Sequence, residues 1–242
     1  MSNIEIRIIP TLFDNYVFVV HDPKANVTVC IDPGDDPMIA DTVKKWGWSI
    51  THILVTHAHY DHVDGIPDLV DEFNCEVYGS HHDYGVIPRC DFRVHVDDVL
   101  QFGSLKFKVL DASGHTAHQI AYYMESEAAL FAGDALFSMG CGRLNGGTAA
   151  QSYRTLTKIS TFPKVTKIYF THEYTQANAK FALSVDGDNE DLQARAVEVD
   201  QMRKNGEITV PVTLGLELKT NPFLRCNSEQ NFAKLRRLKD KF

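Results

Sequence analysis

The feature that most constrains this chain is a cluster of metal-ligand side chains in the stretch Thr56–His62, which reads THAHYDH. It follows the short apolar run HILV, which predicts a buried strand that ends where the cluster begins. His57 and His59 are two residues apart, so in extended chain their side chains point to the same side and can bind one ion. Asp61 and His62 follow where the strand must give way to a helix, and they project elsewhere. The stretch therefore predicts a metal site at a strand end, with ligands that face in two directions.

Histidines also cluster by chance or on a solvated surface, and an isolated His-x-His pair fits that alternative better than a metal site. Here four donors lie together after an apolar strand, and further His and Asp residues follow later predicted strands. A histidine-rich tract that binds metal without catalysis is the second alternative. The number and placement of the donors favour a catalytic metal site.

Potential ligands recur directly after short apolar strands further along the chain. They are His115 after residues 105–110, Asp134 after residues 128–132 and His172 after residues 167–170. Because ligands of α/β sheets gather outside the carboxyl ends of the strands, these residues and the first cluster could converge on one crevice. The resulting seven donors exceed the four that one zinc ion takes. Two adjacent ions that share a bridging carboxylate and a water-derived hydroxide would use them all.

Composition and charge exclude several classes of function. A formal net charge of -8 argues against a general nucleic-acid binder, and the one basic run, KLRRLK at residues 234–239, is typical of a solvated helix face. There is no apolar run long enough to span a membrane and no secretory pattern at the N-terminus, so we expect a cytoplasmic protein. Five cysteines without a C-x-x-C pair predict reduced thiols.

Alternating and helical patterns of apolar residues predict an α/β chain. The predicted strands are residues 4–10, 16–21, 27–31, 52–55, 75–79, 105–110, 120–124, 128–132 and 167–170. The predicted helices are residues 37–46, 66–73, 176–185, 189–205 and 229–242. Residues 83–98 are predicted to be irregular. We expect a catalytic domain at residues 1–172 and a short helical, substrate-binding domain at residues 173–242 that acts as a lid.

Six motifs resemble those of the hydroxyacylglutathione hydrolases, or glyoxalase II enzymes, in the metallo-β-lactamase superfamily. They are THAHYDH at residues 56–62, GHT at 114–116, FAGDALF at 131–137, GCGR at 140–143, HEYT at 172–175 and NPFLR at 221–225. The first three occur throughout the superfamily, and the last three are more specific to glyoxalase II. The resemblance covers nearly the whole chain. It implies a four-layer αββα sandwich with a small C-terminal helical domain.

The same resemblance divides the seven donors between two metal ions. It implies that His57, His59 and His115 hold one ion, that Asp61, His62 and His172 hold the second, and that Asp134 bridges them. Asp61 and Asp134 are thereby expected to take part in catalysis. Zinc is the expected metal, with iron or manganese as alternatives, because His/Asp sites accept all three.

For the substrate, the resemblance implies that Arg143, Tyr174 and Arg225 bind glutathione. The implied reaction is hydrolysis of the thioester S-D-lactoylglutathione to D-lactate and glutathione by a metal-bound hydroxide, the second step of methylglyoxal detoxification. A thiol with a pKa of about 8.5 leaves as thiolate, so no dedicated general acid is needed. We expect a monomer whose partner is this small molecule, without nucleic acid or membrane.

Two departures from the family pattern fall in the substrate-binding motifs. Asn145 stands where many members have an aromatic residue, and residues 226–228 lack the basic residue that often follows the NPFLR motif. Both departures predict altered binding of glutathione. The alternative functions are a mononuclear iron dioxygenase of glutathione persulfide, a lactonase or β-lactamase of the same superfamily, and a metal-binding protein without turnover.

Overall fold

A computed structural model describes residues 4–242, so the first three residues of the predicted catalytic domain lie outside the described residues. Backbone contacts divide the chain into two compact units. Unit 1 runs to Leu110 and includes Ile120–Glu127, and unit 2 consists of Asp111–Gln119 and Ala128–Phe242. These units are not the predicted catalytic and helical domains. The predicted boundary between those domains, after residue 172, stays a prediction.

Unit 1 contains a six-stranded sheet with the strands in sequence order. These are β1 (Glu5–Thr11), β2 (Asn15–Asp22), β3 (Val27–Ile31), β4 (His52–Leu54), β5 (Glu76–Ser80) and β6 (Phe92–Val94). The first three form an antiparallel meander, and β3 to β6 pair in parallel. Parallel pairing brings the carboxyl ends of β3, β4 and β5 to one edge of the sheet, where polar ligands gather. The first metal-ligand cluster begins at this edge.

Three helices and three further strands complete unit 1. They are α1 (Met38–Lys45), α2 (Tyr60–Val63), α3 (Ile66–Phe73), β7 (Val99–Phe102), β8 (Leu105–Asp111) and β9 (Ile120–Met124). The apolar stripes of α1 and α3 supply Ile39, Val43, Ile66 and Leu69 to a core that also contains Ile53 of β4. Full burial of such a side chain stabilises the fold by about 1.5 to 3 kcal/mol. This core fixes the end of β4 from which the ligands project.

Unit 2 combines short strands with five helices. The strands are β10 (Ala129–Gly133), β11 (Leu136–Phe137), β12 (Gly140–Cys141), β13 (Lys167–Phe170) and β14 (Val212–Thr213). The helices are α4 (Ala149–Ile159), α5 (Thr175–Val185), α6 (Glu190–Lys204), α7 (Leu214–Thr220) and α8 (Glu229–Lys239). β10 and β13 are parallel, so both end at the same edge, and β11 and β12 form a hairpin. Among residues 4–242, no helix has the length and apolar character that a membrane crossing requires.

The predicted elements agree with the structure where apolar periodicity is strong. The strands at residues 27–31, 120–124 and 167–170 and the helix at residues 66–73 have their predicted bounds. The prediction that residues 83–98 are irregular is wrong for β6, whose first two residues are exposed and show no alternation. Helix α4 was not predicted, because the polar Ser152 and Thr155 form half of its buried stripe.

Unit 1 contains a buried carboxylate that permits a test of stability. Asp22 ends β2 and accepts hydrogen bonds from Ser104 Oγ at 2.6 Å, Ser104 N at 2.9 Å and Lys24 N at 2.9 Å. These bonds, those from Ser104 above all, lower the pKa of Asp22 to about 2. Because the folded pKa lies below the unfolded one, the stabilisation is present above pH 4 and is lost as the pH falls toward 2.

We therefore expect Asp22→Asn to lower the free energy of unfolding at pH 7 by about 1 to 3 kcal/mol. The difference from the parent should shrink as the pH falls from about 4 toward 2. Urea titrations at a series of pH values measure it, with the exposed Asp188→Asn as control. A difference that is the same at pH 7 and pH 3 would contradict the assignment to the carboxylate.

Candidate metal and substrate site

Unit 1 presents four donors where β4 ends and α2 begins. His57 is fully buried, and His59 lies in extended conformation at the N-cap of α2. Asp61 and His62 then lie inside the single turn of α2. The backbone changes from extended at His59 to helical at Tyr60. The rings of His57 and His62 lie with their centroids 4.1 Å apart, so the two pairs of donors are close neighbours.

His57 and His59 bring two imidazole nitrogens together. His57 Nε2 lies 3.0 Å from His59 Nδ1, and His57 Nδ1 lies 3.1 Å from Thr56 Oγ1. Bonds of about 2.0 to 2.1 Å in a tetrahedral zinc site place two nitrogens about 3.3 Å apart. The pair therefore has nearly the spacing that two ligands of one ion require.

A second pair of contacts orients the remaining donors of unit 1. The buried carboxylate of Asp32 accepts hydrogen bonds from Thr56 N and Oγ1, both at 2.7 Å, and its Oδ2 lies 3.3 Å from His62 Nδ1. A carboxylate beside Nδ1 favours a proton on that nitrogen, which would leave Nε2 as the nitrogen for a metal ion. That Nε2 lies 3.5 Å from Asp61 Oδ2, which accepts a bond of 3.0 Å from Asn15 Nδ2.

The sequence analysis did not identify Asp32 or Asn15 as parts of the site. Asp32 opens an Asp-Pro-Gly sequence and Asn15 follows Asp14, and both sequences are typical of turns rather than of binding sites. A polar residue directly after the buried strand β3 was the available signal, because the neighbouring β4 ends at the same edge.

Unit 2 supplies His115, Asp134 and His172, and their contacts centre on Asp134. Its Oδ2 lies 3.4 Å from His115 Nε2 and its Oδ1 lies 3.4 Å from His172 Nε2. Thr171 Oγ1 donates a hydrogen bond of 2.5 Å to Oδ1. Each carboxylate oxygen thus faces a different imidazole, an arrangement that is compatible with a carboxylate shared between two ions.

His115 is oriented by a backbone group. Its Nδ1 lies 2.8 Å from the carbonyl oxygen of Arg143, which can only accept a hydrogen bond. Nδ1 therefore carries the proton, and Nε2 is the nitrogen with a lone pair for a metal ion. Imidazoles and carboxylates are the donors that a divalent ion such as zinc accepts, so the residues present fit such an ion.

A cavity of about 370 Å³ in unit 2 adjoins these ligands. Its lining includes His115 and Asp134, the aromatic Phe137 and Tyr174, and the cations Arg143, Arg236 and Lys239. The ring of Tyr174 stacks on the ring of His172 with centroids 4.8 Å apart. The cavity thus joins metal-ligand side chains, aromatic surface and positive charge.

Arg236 and Lys239 correct the interpretation of the basic run at residues 234–239 as a solvated helix face. Arg236 is 2% exposed and donates from Nη1 to the carbonyl oxygens of Cys141 at 2.8 Å and Gly142 at 3.4 Å. Burial, followed by the charges of Arg236 and Arg143, lowers the pKa of Lys239. Arg236 is also ion-paired with Asp240 at 2.9 Å. The group of three cations keeps a net positive charge, which favours an anionic occupant.

The structure brings Arg143 and Tyr174 to this cavity but not Arg225. Arg225 lines a separate depression with Pro222 and Asn227 and pairs with Asp186. The side chains of Arg143 and Arg225 therefore do not line the same cavity. No sequence signal distinguishes Arg225 from Arg236, because the distinction depends on how α8 packs.

Comparison with known proteins agrees with this geometry. Residues 10–172 match the family described as the metallo-beta-lactamase superfamily, and residues 173–242 match the family described as hydroxyacylglutathione hydrolase C-terminus. A hydroxyacylglutathione hydrolase of Rhizobium etli is 40% identical over 256 residues, covering 100% of both chains. One from Rhodopseudomonas palustris strain BisB5 is 45% identical over 224 residues, covering 92% of this chain and 88% of the relative.

Solved structures agree in fold. The crystal structure of ETHE1 from Myxococcus xanthus has a TM-score of 0.75 at 24% identity and covers 96% of this chain and 90% of that chain. The structure of TTHA1623 in a di-iron-bound form has a TM-score of 0.66 at 24% identity, covering 90% and 99%. At this identity the likeness concerns the fold alone. It confirms the α/β fold class predicted from the sequence.

The described residues also contain groups of three or more His and Asp side chains that could hold a metal ion. Together with two family matches that adjoin at residues 172 and 173 and with relatives that align over the full length, they place this chain. It has the metallo-β-lactamase fold with a C-terminal helical domain of the hydroxyacylglutathione hydrolase type. The chain belongs to the hydroxyacylglutathione hydrolase family of the metallo-β-lactamase superfamily.

Proposed function

We propose that this protein is a hydroxyacylglutathione hydrolase, a thioesterase that cleaves S-D-lactoylglutathione to D-lactate and glutathione. The observation that carries the proposal is the cavity in which three cations lie beside His115 and Asp134. Relatives of that name at 40 to 45% identity support it. The second step of methylglyoxal detoxification is the role that follows from this reaction.

The proposal includes two divalent metal ions per chain, most simply zinc. The first would be held by His57, His59 and His115, the second by Asp61, His62 and His172, with Asp134 shared between them. The facing nitrogens of His57 and His59 and the two-sided contacts of Asp134 support this division. When bound, such ions lower the pKa of a water toward about 7 and polarise a carbonyl oxygen.

The protein's own residues would orient the reactants. Asp61, fixed by Asn15, and Asp134, fixed by Thr171, are the carboxylates to which we assign catalytic roles. As rigid acceptors they can align the hydrogens of an attacking water with the thioester carbonyl. The leaving thiol, with a pKa of about 8.5, departs as thiolate without a general acid.

The substrate would be bound through its charges. Glutathione carries two carboxylates, and Arg143, Arg236 and Lys239 supply cations at the cavity. Tyr174 adds a phenol group and an aromatic face. Arg225 is the anchor implied by the family motif, and it remains the alternative to Arg236 and Lys239. Charge-assisted hydrogen bonds of this kind contribute roughly twice as much as neutral ones.

Location and assembly are also part of the proposal. The five cysteines are all free thiols, which suits a reducing compartment such as the cytoplasm. We propose a monomer, because both the metal ligands and the cations of the site come from one chain. The partner is then the small-molecule thioester.

The central experiment measures turnover and metal content on one purified sample. We expect hydrolysis of S-D-lactoylglutathione, which is measured by the appearance of the free thiol. We also expect about two divalent ions per chain by elemental analysis. One iron per chain with oxygen consumption on glutathione persulfide, and no thioesterase activity, would favour the dioxygenase instead. Faster hydrolysis of a lactone or a β-lactam would favour the other superfamily activities.

Replacement of the shared carboxylate tests the metal assignment. Asp134→Ala should reduce kcat to near the background rate and lower the metal content below two ions per chain, because the variant lacks the carboxylate that faces both His115 and His172. The exposed Asp188→Ala serves as control. A folded Asp134→Ala protein with near-normal kcat would show that the bridge is misassigned.

Three single variants test which cations bind the substrate. Lys239→Met and Arg143→Met keep most of the side-chain length and remove the charge. Each should raise KM about ten- to hundredfold with little change in kcat, because the contacts hold ground state and transition state alike. Arg225→Met should leave KM within about twofold of the parent.

The opposite pattern, a raised KM in Arg225→Met alone, would place glutathione in the depression beside Asp186. Salt provides a second readout. The KM of the parent should rise with ionic strength, and the KM of Lys239→Met should rise less, because one of the screened attractions is gone.

A further inference from the structure

The β11–β12 hairpin connects the parts of the proposed site that unit 2 supplies. It spans Leu136–Cys141, with Asp134 just before it and Arg143 just after it. The carbonyl of Arg143 orients His115 through a hydrogen bond of 2.8 Å. At Gly142 a Cβ atom would lie 2.1 Å from the carbonyl oxygen of Asp134, so the chain leaving the hairpin passes directly against the chain entering it. A shift of the hairpin would therefore move a metal ligand, the orienting carbonyl and a substrate-binding cation together.

The turn of this hairpin is held by a buried glutamate from another element. Glu217 of α7 is fully buried, and it accepts hydrogen bonds from Ser138 Oγ at 2.8 Å and from Met139 N at 2.7 Å. Met139 has a φ of +53°, a left-handed conformation that is unfavourable for a non-glycine residue. The carboxylate thus satisfies the backbone N–H of a strained residue 78 positions away in the sequence.

Two asparagines complete the contacts around the turn. Asn221, directly after α7, donates from Nδ2 to the carbonyl oxygens of Phe137 at 3.0 Å and Gly140 at 2.9 Å, and to Glu217 Oε2 at 2.9 Å. Asn178 of α5 donates to the carbonyl oxygen of Ser138 at 3.1 Å. The turn of the hairpin therefore exchanges hydrogen bonds with side chains of α5, of α7 and of Asn221 at the end of α7, and all three side chains are buried. The end of the hairpin is held separately, by the bond from Arg236 of α8 to the carbonyl oxygen of Cys141.

Burial of the Glu217 carboxylate is unfavourable in free energy, and a neutral side chain could join α7 to its surroundings without this cost. Burial is the main reason that the pKa of Glu217 is raised. Its two oxygens receive hydrogen bonds from the hairpin and from Asn221, which itself bonds the hairpin. The acceptors are thus directed at the hairpin rather than at α7. Removal of the carboxylate would leave a strained N–H without an acceptor in a dry environment.

We propose that Glu217 and Asn221 are positioning residues, which hold the β11–β12 hairpin so that Asp134, the carbonyl of Arg143 and the Arg143 side chain keep their places in the site. The proposal rests on the proposed function for its substrate. It assigns no contact between Glu217 and substrate or metal. Because a displacement of about 1 Å can reduce a rate by about 10²-fold, small movements of the hairpin would suffice.

Glutamine and alanine variants separate positioning from stability. Glu217→Ala should lower kcat/KM for S-D-lactoylglutathione by roughly ten- to hundredfold, with a raised KM as well as a reduced kcat. Glu217→Gln should recover most of this loss, because its carbonyl oxygen can accept from Met139 N while its NH₂ group donates to Ser138 Oγ. Both variants are assayed as folded protein, verified by circular dichroism.

Asp22→Ala is the matched control, because it also removes a buried carboxylate that anchors a turn, but in unit 1. It should lower the melting temperature while leaving KM and kcat within about twofold of the parent. If Glu217→Ala behaves in the same way, the residue is merely structural and the proposal is overturned. If Glu217→Ala does not fold, Ser138→Ala removes one of the bonds at the turn and should show a several-fold rise in KM; an unchanged KM in that variant would overturn the proposal.

Metal content provides a readout that is independent of turnover. After dialysis against a weak chelator, Glu217→Ala should retain less metal than the parent, whereas Glu217→Gln and Asp22→Ala should retain as much. If the parent does not hydrolyse S-D-lactoylglutathione, the proposed function fails, and the metal retention of the same variants still tests the positioning role. Equal retention in all variants would then overturn it.

Discussion

A carboxylate removed from water must be surrounded by hydrogen-bond donors, and this constraint shapes the candidate metal ligands of each unit. In unit 1, Asp32 accepts from Thr56 and faces His62. In unit 2, Asp134 accepts from Thr171 and faces two imidazoles. Each carboxylate is itself held by a threonine hydroxyl, so donors arranged in this way need little reorganisation to receive an ion.

One cavity of this protein is positively charged although the protein as a whole is negatively charged. The chain as a whole is acidic, with a net charge of -8, yet Arg143, Arg236 and Lys239 lie together at one cavity. Arg236 is held there by the carbonyl oxygens of Cys141 and Gly142, so its position is part of the packing of α8. A positive cavity attracts anions through its local field, whereas the net negative charge of the whole protein disfavours nonspecific binding of anions elsewhere on the surface.

The sequence predictions were accurate for elements that depend on nearby residues, and they failed for elements that depend on residues far away in the sequence. β3, β9, β13 and α3 were predicted at their observed bounds, because their apolar periodicity and turn residues are local. The two-residue strands β11 and β12 have no such signal. Their hydrogen-bond partners, Asn221 among them, lie about eighty positions away in the sequence.

The sequence by itself determined the fold class, the family and the identity of the candidate metal ligands. Those ligands occupy short motifs at strand ends, and the chemistry of imidazole and carboxylate is the same wherever the chain places them. Only the tertiary structure decided that Arg236 and Lys239, rather than Arg225, line the cavity with Arg143, and that Asp32, Asn15 and Glu217 hold the ligands and the hairpin. The physical reason is that burial and hydrogen-bond partners depend on which helix packs against which strand, and a basic or acidic residue has the same appearance in the sequence whether it faces water or a cavity.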